Sequence, residues 1–427
     1  MPRRPRVLFV SHDASRTGSP IVLLTLQRWL RANVDIEIQT LLLEGGPLQS
    51  DFASVGGVHL FDDVNQASHG RGVIDRLTRR LSPMPDGMEN VAQGLARLEW
   101  RARSAISARQ SERTRRRMAE LGPWDLVYLN STGSSRVLEF LPETLPIVTH
   151  IHEMLSQPNN QLWIRYETKR LAELARRSRS FIAVSEAARR SVVDELHLAP
   201  DHVALCREFI DCSAIRSDPV GAAAARAELD LPAGAFVVGG SGTTEWRKGP
   251  DLFVQAAIAA RSRGLNQVKF LWVGADGERL QTLEQLFDIE RADLRDSVRF
   301  LEVQPDPQPY FSLFDVFALT SRSDPFPLVA LEAAARGTPI ICFEGGGGMQ
   351  EFVQDGAGVV LPYADAGAVA ETVGHLIDDP ERALSLGRRA AEKARAENDV
   401  RIVAPQIWAV MQAAMAGVSA AGSTADR

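Results

Sequence analysis

Residues Ser321 to Ile341 read SRSDPFPLVALEAAARGTPII. The apolar run DVFALTS (315–321) leads into this stretch and TPIICF (338–343) closes it. Between them LVALEAAAR is rich in helix formers, and Gly337 suits the position after a helix end. Pro325 and Pro327 cannot donate backbone hydrogen bonds, but the first turn of a helix leaves its N–H groups unpaired in any case. Strand, helix and strand in this order form a parallel β-α-β unit. The helix N-terminus then lies at the carboxyl edge of the sheet, where doubly wound folds bind ligands. The N–H groups of Leu328, Val329 and Ala330, with the helix dipole, make an anion site there. Two acids flank it. Glu332, about one turn inside the helix, can reach sugar hydroxyls of a nucleotide bound across that edge. Asp324, in the turn before the helix, can contact what hangs from the far end of the phosphates. The plainer alternative makes Asp324 a helix cap and Glu332 a surface acid.

Outward from this unit the same punctuation repeats. Strands are expected at RVLFVS (6–11), DIEIQTLLL (35–43), DLVYLN (125–130), PIVTHIH (146–152) and SFIAVS (180–185), with helices at 20–32 and 158–178. The series restarts at AFVVGGSG (235–242), followed by a helix over 249–264 and strands at VKFLWVG (268–274), VRFLEV (298–303), DVFALTS, TPIICF and GVVLPY (358–363). Short apolar strands alternating with amphipathic stretches imply parallel sheets covered by helices on both faces. A chain of 427 residues is too long for one ordinary core, and two domains of roughly 150–200 residues are expected. We expect a first domain over 1–212, a second over 213–398, a closing helix over 399–417 that returns to the first domain, and a disordered tail at 418–427.

Composition narrows the class. Hydrophobic content of 45% and charged content of 24% are globular values. A net charge of −6 gives no general case for nucleic acid or an anionic surface. Three cysteines (Cys206, Cys212, Cys342) form neither a disulfide framework nor a CxxC pair, which fits a reducing compartment. No run of about 18 apolar residues occurs, so a cytoplasmic protein is expected. Residues 64–122 break the strand-helix spacing. Within them 97–117 carries eight arginines among Leu, Trp and Ile. That stretch is either a long solvated helix face or a patch for peripheral contact with an anionic membrane at its inner face.

Four further stretches carry chemistry. GSGTTEWRKGPDLF (240–253) ends a strand in a glycine-rich turn, and Arg247-Lys248-Gly249 then opens a helix. Two cations there suit a diphosphate. The pattern is neither Walker A, since Gly249 follows the lysine, nor a complete GxGxxG, since Glu245 takes the third glycine's place. EGGGGMQEF (344–352) permits either close backbone approach or a mobile turn. SHDASRTGSPIVLL (11–24) again places a glycine between strand and helix. In VTHIHEM (148–154) alternation puts His150 and His152 on one face, with His152 nearer the carboxyl edge. No Cys/His spacing suggests zinc and no Asp-x-Asp triplet suggests a metal clamp.

Taken together, the acid-x7-acid pair around PF-LVALEA…GTP, the RKG turn, the glycine-rich GG…E loop and the histidine after a PIVT strand resemble retaining glycosyltransferase family 4. The resemblance covers nearly the whole chain. It is strongest over 236–363 and thinner from 60 to 122. It implies the GT-B fold, two Rossmann-like doubly wound α/β domains facing across a cleft. It also implies retaining transfer, of the hexosyltransferase type, from a nucleoside-diphosphate sugar to an acceptor, without cofactor or metal. A glycan or lipid-linked acceptor in cell-surface polysaccharide or glycoconjugate biosynthesis is expected because the arginine face could dock the enzyme at a membrane. Glu332 would hold the ribose hydroxyls and Asp324 would contact the donor sugar. Lys248, with Arg247, would neutralise the diphosphate. His152 would sit beside the reacting centre, making His152, Asp324 and Lys248 the catalytic set. Phe326, Leu328, Val329, Val303 and Gly18 would complete the donor site, and Gly18, Ser19 and His150 would form an acceptor-side loop. The chain departs from the family at Asp324, where Glu is usual, and at Pro327, where Gly is frequent. Gly242 stands where an Arg often lies, and CREFID (206–211) replaces a Pro-Asn-Gly loop. A nucleotide-sugar epimerase, a nicotinamide-dependent oxidoreductase and a catalytically silent binding protein are the readings set against it.

Overall fold

The computed structural model describes residues 3–61, 111–155, 161–216, 218–277 and 280–417, with 161–167 and 280–281 described as backbone. Seven strands form the first parallel sheet: β1 (Arg6–Ser11), β2 (Glu37–Leu42), β3 (Gly57–Leu60), β4 (Leu126–Asn130), β5 (Ile147–Ile151), β6 (Ser180–Ala183) and β7 (Val203–Leu205). Six form the second: β8 (Phe236–Ser241), β9 (Val268–Ala275), β10 (Val298–Glu302), β11 (Val316–Leu319), β12 (Ile340–Phe343) and β13 (Gly358–Leu361). The orders are β3-β2-β1-β4-β5-β6-β7 and β10-β9-β8-β11-β12-β13. Each sheet reverses direction of growth beside its first strand, so each has a topological switch point: β1/β4 in one, β8/β11 in the other.

The inner strands are near-continuous apolar runs because both faces are covered. VLFV of β1 and LVYL of β4 are fully buried. In the second sheet Phe253, Phe270, Trp272 and Phe300 interlock, with Trp272 and Phe300 stacked at 5.8 Å. Gly240 of β8 belongs to this packing, and its neighbour Gly239 makes room for a different ring. A Cβ on Gly239 would meet the Phe314 ring at 2.3 Å, and one on Gly240 would meet Trp272 at 2.7 Å. Gly240 lies within the expected strand, where it makes room for aromatic rings.

The expected strands and the helices at Gly18–Asn33, Gln161–Arg177, Pro250–Ser262 and Val400–Ala416 are present. Two edge strands were not expected. GVHL of β3 and VAL of β7 are too short to read as apolar runs. Among the described residues two compact units form, one from residues up to 150, 167–180 and 411–417, the other from 151–166 and 181–410. The division runs through the first sheet, between residues of β5 and of β6, whereas the two sheets separate between β7 and β8. Of the arginine-rich stretch, residues up to 110 lie outside the described residues, as does 418–427. Residues 111–121 form a helix that buries Thr114 and Met118 and exposes Arg113, Arg115 and Arg116. No described helix is long and apolar enough to cross a membrane.

Candidate functional site

The β8/β11 switch point gathers three stretches that lie far apart in sequence. After β8, Trp246–Lys248 makes one helical turn and Gly249 follows in the left-handed region, φ 68°. A Cβ on Gly249 would fall 2.0 Å from the carbonyl oxygen of Thr320, so only glycine lets the turn lie against the end of β11. Thr320 Oγ1 donates to Gly249 O at 2.9 Å, and the Arg322 amide donates to Arg247 O at 2.7 Å. Arg322 also forks onto Asp251 at 2.7 and 2.6 Å and stacks on the Trp246 ring at 4.6 Å. The RKG turn and the chain leaving β11 are thus stitched together.

Asp324 stands at the junction. It is 4% exposed and accepts from Lys248 Nζ, with Arg247 Nη1 at 3.8 Å. The plainer reading of Asp324 as a cap fails, because the helix Leu328–Ala335 has no side-chain cap. From the other side Gly347 pairs with Asp324 as a parallel bridge. The Asp324 amide donates to Gly346 O at 2.8 Å, and the Gly348 amide donates to Asp324 O at 3.2 Å. A Cβ on Gly347 would lie 1.7 Å from Asp324 O, and its φ is 122°. The glycine run therefore serves close backbone approach, not a loose turn.

In the helix Leu328–Ala335, one expectation is corrected. The Ala330 amide donates to Pro327 O at 3.2 Å. The amides of Leu328 and Val329 carry no such bond among the described residues and remain available to an anion. Glu332 is partly buried, not a surface acid. Desolvation pushes its carboxyl up to about 7, against a smaller opposing pull from Arg336. Phe326 is buried edge-on against Phe352, with centroids 6.3 Å apart, so it acts through packing. Val303 follows β10 and is 67% exposed.

His152 lies one residue beyond β5. Its side chain is 5% exposed, and Nδ1 is 3.0 Å from Glu208 Oε2. His150 does not join it. That side chain is in β5, 1% exposed, with Nδ1 2.6 Å from the Tyr128 hydroxyl, so it is a core residue and not part of an acceptor-side loop. Alternation placed the two histidines on one face, but His152 has left the strand and its pleat. Gly18 and Ser19 likewise belong to the first turn of the helix Gly18–Asn33, not to a loop. Asn130 Nδ2 donates to Ser19 O at 2.9 Å and ties that turn to the end of β4.

Three polar groups at these edges were not anticipated. His12 Nδ1 is 3.2 Å from Ser131 Oγ at the β1/β4 switch point. Glu351 accepts from the amides of Glu186 and Ala187 at 3.0 and 2.9 Å, capping the helix Glu186–Leu196. Glu208 is the third. His12 had a signal, since it is the first residue after β1. Glu208 had none, since 56 residues separate it from His152.

Residues 74–214 match the family described as Glycosyltransferase Family 4, and residues 222–393 match Glycosyl transferases group 1. D-inositol 3-phosphate glycosyltransferase of Kineococcus radiotolerans is 31% identical over 229 residues, 50% of this chain and 52% of that protein. Lipopolysaccharide core biosynthesis glycosyltransferase LpsE of Rhizobium meliloti is 34% identical over 170 residues, 39% of this chain and 47% of that protein. Such matches span about half the length of these relatives. Among solved structures, Anabaena HepE in complex with UDP and glucose superposes with a TM-score of 0.72 at 20% identity, over 95% of this chain and 99% of that one. Sucrose-phosphate synthase of Thermosynechococcus elongatus gives 0.69 at 21% identity, over 97% and 100%. The fold is that of GT-B proteins.

Proposed function

From a chain that belongs to the group 1 and family 4 glycosyltransferases, we propose an enzyme that moves a sugar from a nucleoside-diphosphate sugar to an acceptor with retention of anomeric configuration. The observation that carries this reading is the β8/β11 switch point. There Lys248 and Arg247 meet Asp324, which stands four residues before the helix Leu328–Ala335, and Glu332 lies about one turn into that helix.

Breaking the anomeric C–O bond develops positive charge on the sugar and negative charge on the departing diphosphate. The protein's task is alignment and electrostatic stabilisation. Lys248 and Arg247 offset the diphosphate charge, and the Leu328 and Val329 amides receive phosphate oxygens. Glu332 accepts from the ribose hydroxyls, and Asp324 faces the donor sugar while holding Lys248 in place. His152 accepts from a hydroxyl near the reacting carbon. The leaving phosphate takes the acceptor proton as the acceptor attacks the same face. These groups carry the leaving-group charge in place of a metal.

A glycan or lipid-linked acceptor in cell-surface glycoconjugate synthesis fits the kinds of relative found, and the exposed arginines of 111–121 suit peripheral docking at an anionic surface. Salt-sensitive binding to phosphatidylglycerol vesicles tests the docking.

The test of the reaction is release of nucleoside diphosphate from UDP-, GDP- and ADP-sugars, followed with wild type, Lys248→Ala and Glu332→Ala. One donor class is expected to be turned over by the wild type alone, and NMR of the product would report retained configuration. Epimerised donor, or hydride transfer from a nicotinamide, would overturn the reading.

A further inference from the structure

His152 and Glu208 form a buried pair whose geometry is fixed from outside the pair itself. Three neighbouring strand ends build it. His152 follows β5, Val184 follows β6 and Glu208 lies in the connection after β7. The Glu208 amide donates to Val184 O at 3.0 Å, and its carbonyl accepts from Asn398 Nδ2 at 2.6 Å. Beyond it the Ile210 amide donates to Asn398 O and the Val400 amide to Ile210 O, both at 2.9 Å. The Cys212 amide donates to Asp399 Oδ2 at 3.2 Å. Backbone bonds on both sides thus hold residue 208; its Oε1 accepts from the Phe209 amide at 3.4 Å and its Oε2 faces the imidazole. Both side chains are 5% exposed. A carboxylate this deep is costly unless it is paired, and His152 supplies the partner.

We propose that Glu208 is a positioning residue for His152. By accepting from Nδ1–H it fixes the tautomer that carries its proton on Nδ1. The Nε2 lone pair is then the acceptor, at the carboxyl edge of the sheet. A neutral imidazole in this tautomer accepts a hydrogen bond from a sugar hydroxyl at the reacting centre. The opposite tautomer would present an N–H there, which donates to the hydroxyl oxygen and so reverses the direction of that hydrogen bond. The CREFID stretch, where the family has a Pro-Asn-Gly loop, thus supplies a carboxylate to the edge that His152 occupies. The inference rests on the reading of His152 given under Proposed function.

The test uses the full chain with ¹⁵N-labelled histidine. Long-range ¹H–¹⁵N correlation should show a protonated Nδ1 and an unprotonated Nε2 for one resonance, assigned to His152 by its absence in His152→Gln. That pattern should be lost in Glu208→Ala, while Glu208→Gln, whose amide oxygen can still accept, should keep part of it. In turnover Glu208→Ala should lower kcat about 10- to 100-fold with donor KM little changed, the scale of loss when a carboxylate that orients a functional histidine is removed. Glu208→Gln should fall between. Because backbone bonds anchor residue 208, Glu208→Gln should keep the wild-type unfolding midpoint. A proton on Nε2 in the wild type, or an unchanged His152 spectrum in Glu208→Ala, would overturn the proposal. So would undiminished kcat in a folded Glu208→Ala. Absence of transfer from every donor, with the tautomer pattern as predicted, would instead refute the transferase reading and leave the pairing intact.

Discussion

Lys248 Nζ donates to Asp324 Oδ2 across the β8/β11 switch point, and the two side chains are only 14% and 5% exposed. The pair joins the residue after one strand's turn to the residue before the next strand's helix, so it is part of the frame as well as of the site. Removing one member of a buried pair strands the other's charge. Lys248→Met should therefore lower unfolding stability by about 2–3 kcal/mol, toward the low end for such pairs because Arg247 remains near Asp324. The double change Lys248→Met with Asp324→Leu should restore most of that, as urea titration would report, and still fail to bind a nucleoside diphosphate. A double variant no more stable than the single one contradicts this account.

Gly347 should tolerate no side chain. A Cβ there overlaps the Asp324 carbonyl at 1.7 Å and φ is 122°, whereas Gly345, at φ 70°, has nothing within 4 Å. Gly345→Ala should cost about 1 kcal/mol, the ordinary penalty of the left-handed region. Gly347→Ala should cost several times more and weaken nucleotide affinity, because it moves Asp324. Thermal unfolding and calorimetry of the two variants side by side decide the point. Equal effects would mean that the close approach does not matter.

Glu332 should make stability fall as pH rises. Its ordinary carboxyl value is 4.5, and burial pushes it to about 7 in the folded chain. Between these values the folded state holds a proton that the unfolded state has lost. The group's contribution is therefore fully present below about 4.5 and is lost as pH rises through about 7. Urea midpoints over that window should decline in wild type relative to Glu332→Gln, which lacks the titration. Ribose hydroxyls donating to the carboxylate favour its charged form, so nucleotide binding should release protons. Calorimetry in buffers of different ionisation enthalpy would detect this, and the same proton count in Glu332→Gln would contradict it.

Much of this was legible in the sequence, for a physical reason. VLFV, LVYL and IICF are strands buried on both faces, so their apolar runs announce them without tertiary context. The first and last strands of a sheet need less apolar surface, and GVHL and VAL left no mark. The Asp324/Glu332 spacing lies within one strand-helix unit and was readable, as was the RKG turn. Which histidine left the strand was not, because it depends on β5 ending at Ile151. Nor was Ala330's engaged amide, which follows from the local turn at Pro327. Glu208 and Glu351 reach partners through the fold alone, 56 and 165 residues away.

The central claim is that the β8/β11 switch point binds the nucleoside diphosphate of a sugar donor. Calorimetric titration with UDP, GDP, ADP and NAD, on wild type and Glu332→Ala, tests it most directly. The account predicts that one nucleoside diphosphate binds wild type in preference to the others and that Glu332→Ala loses that binding. Binding of NAD alone, or of none of the four, would contradict it.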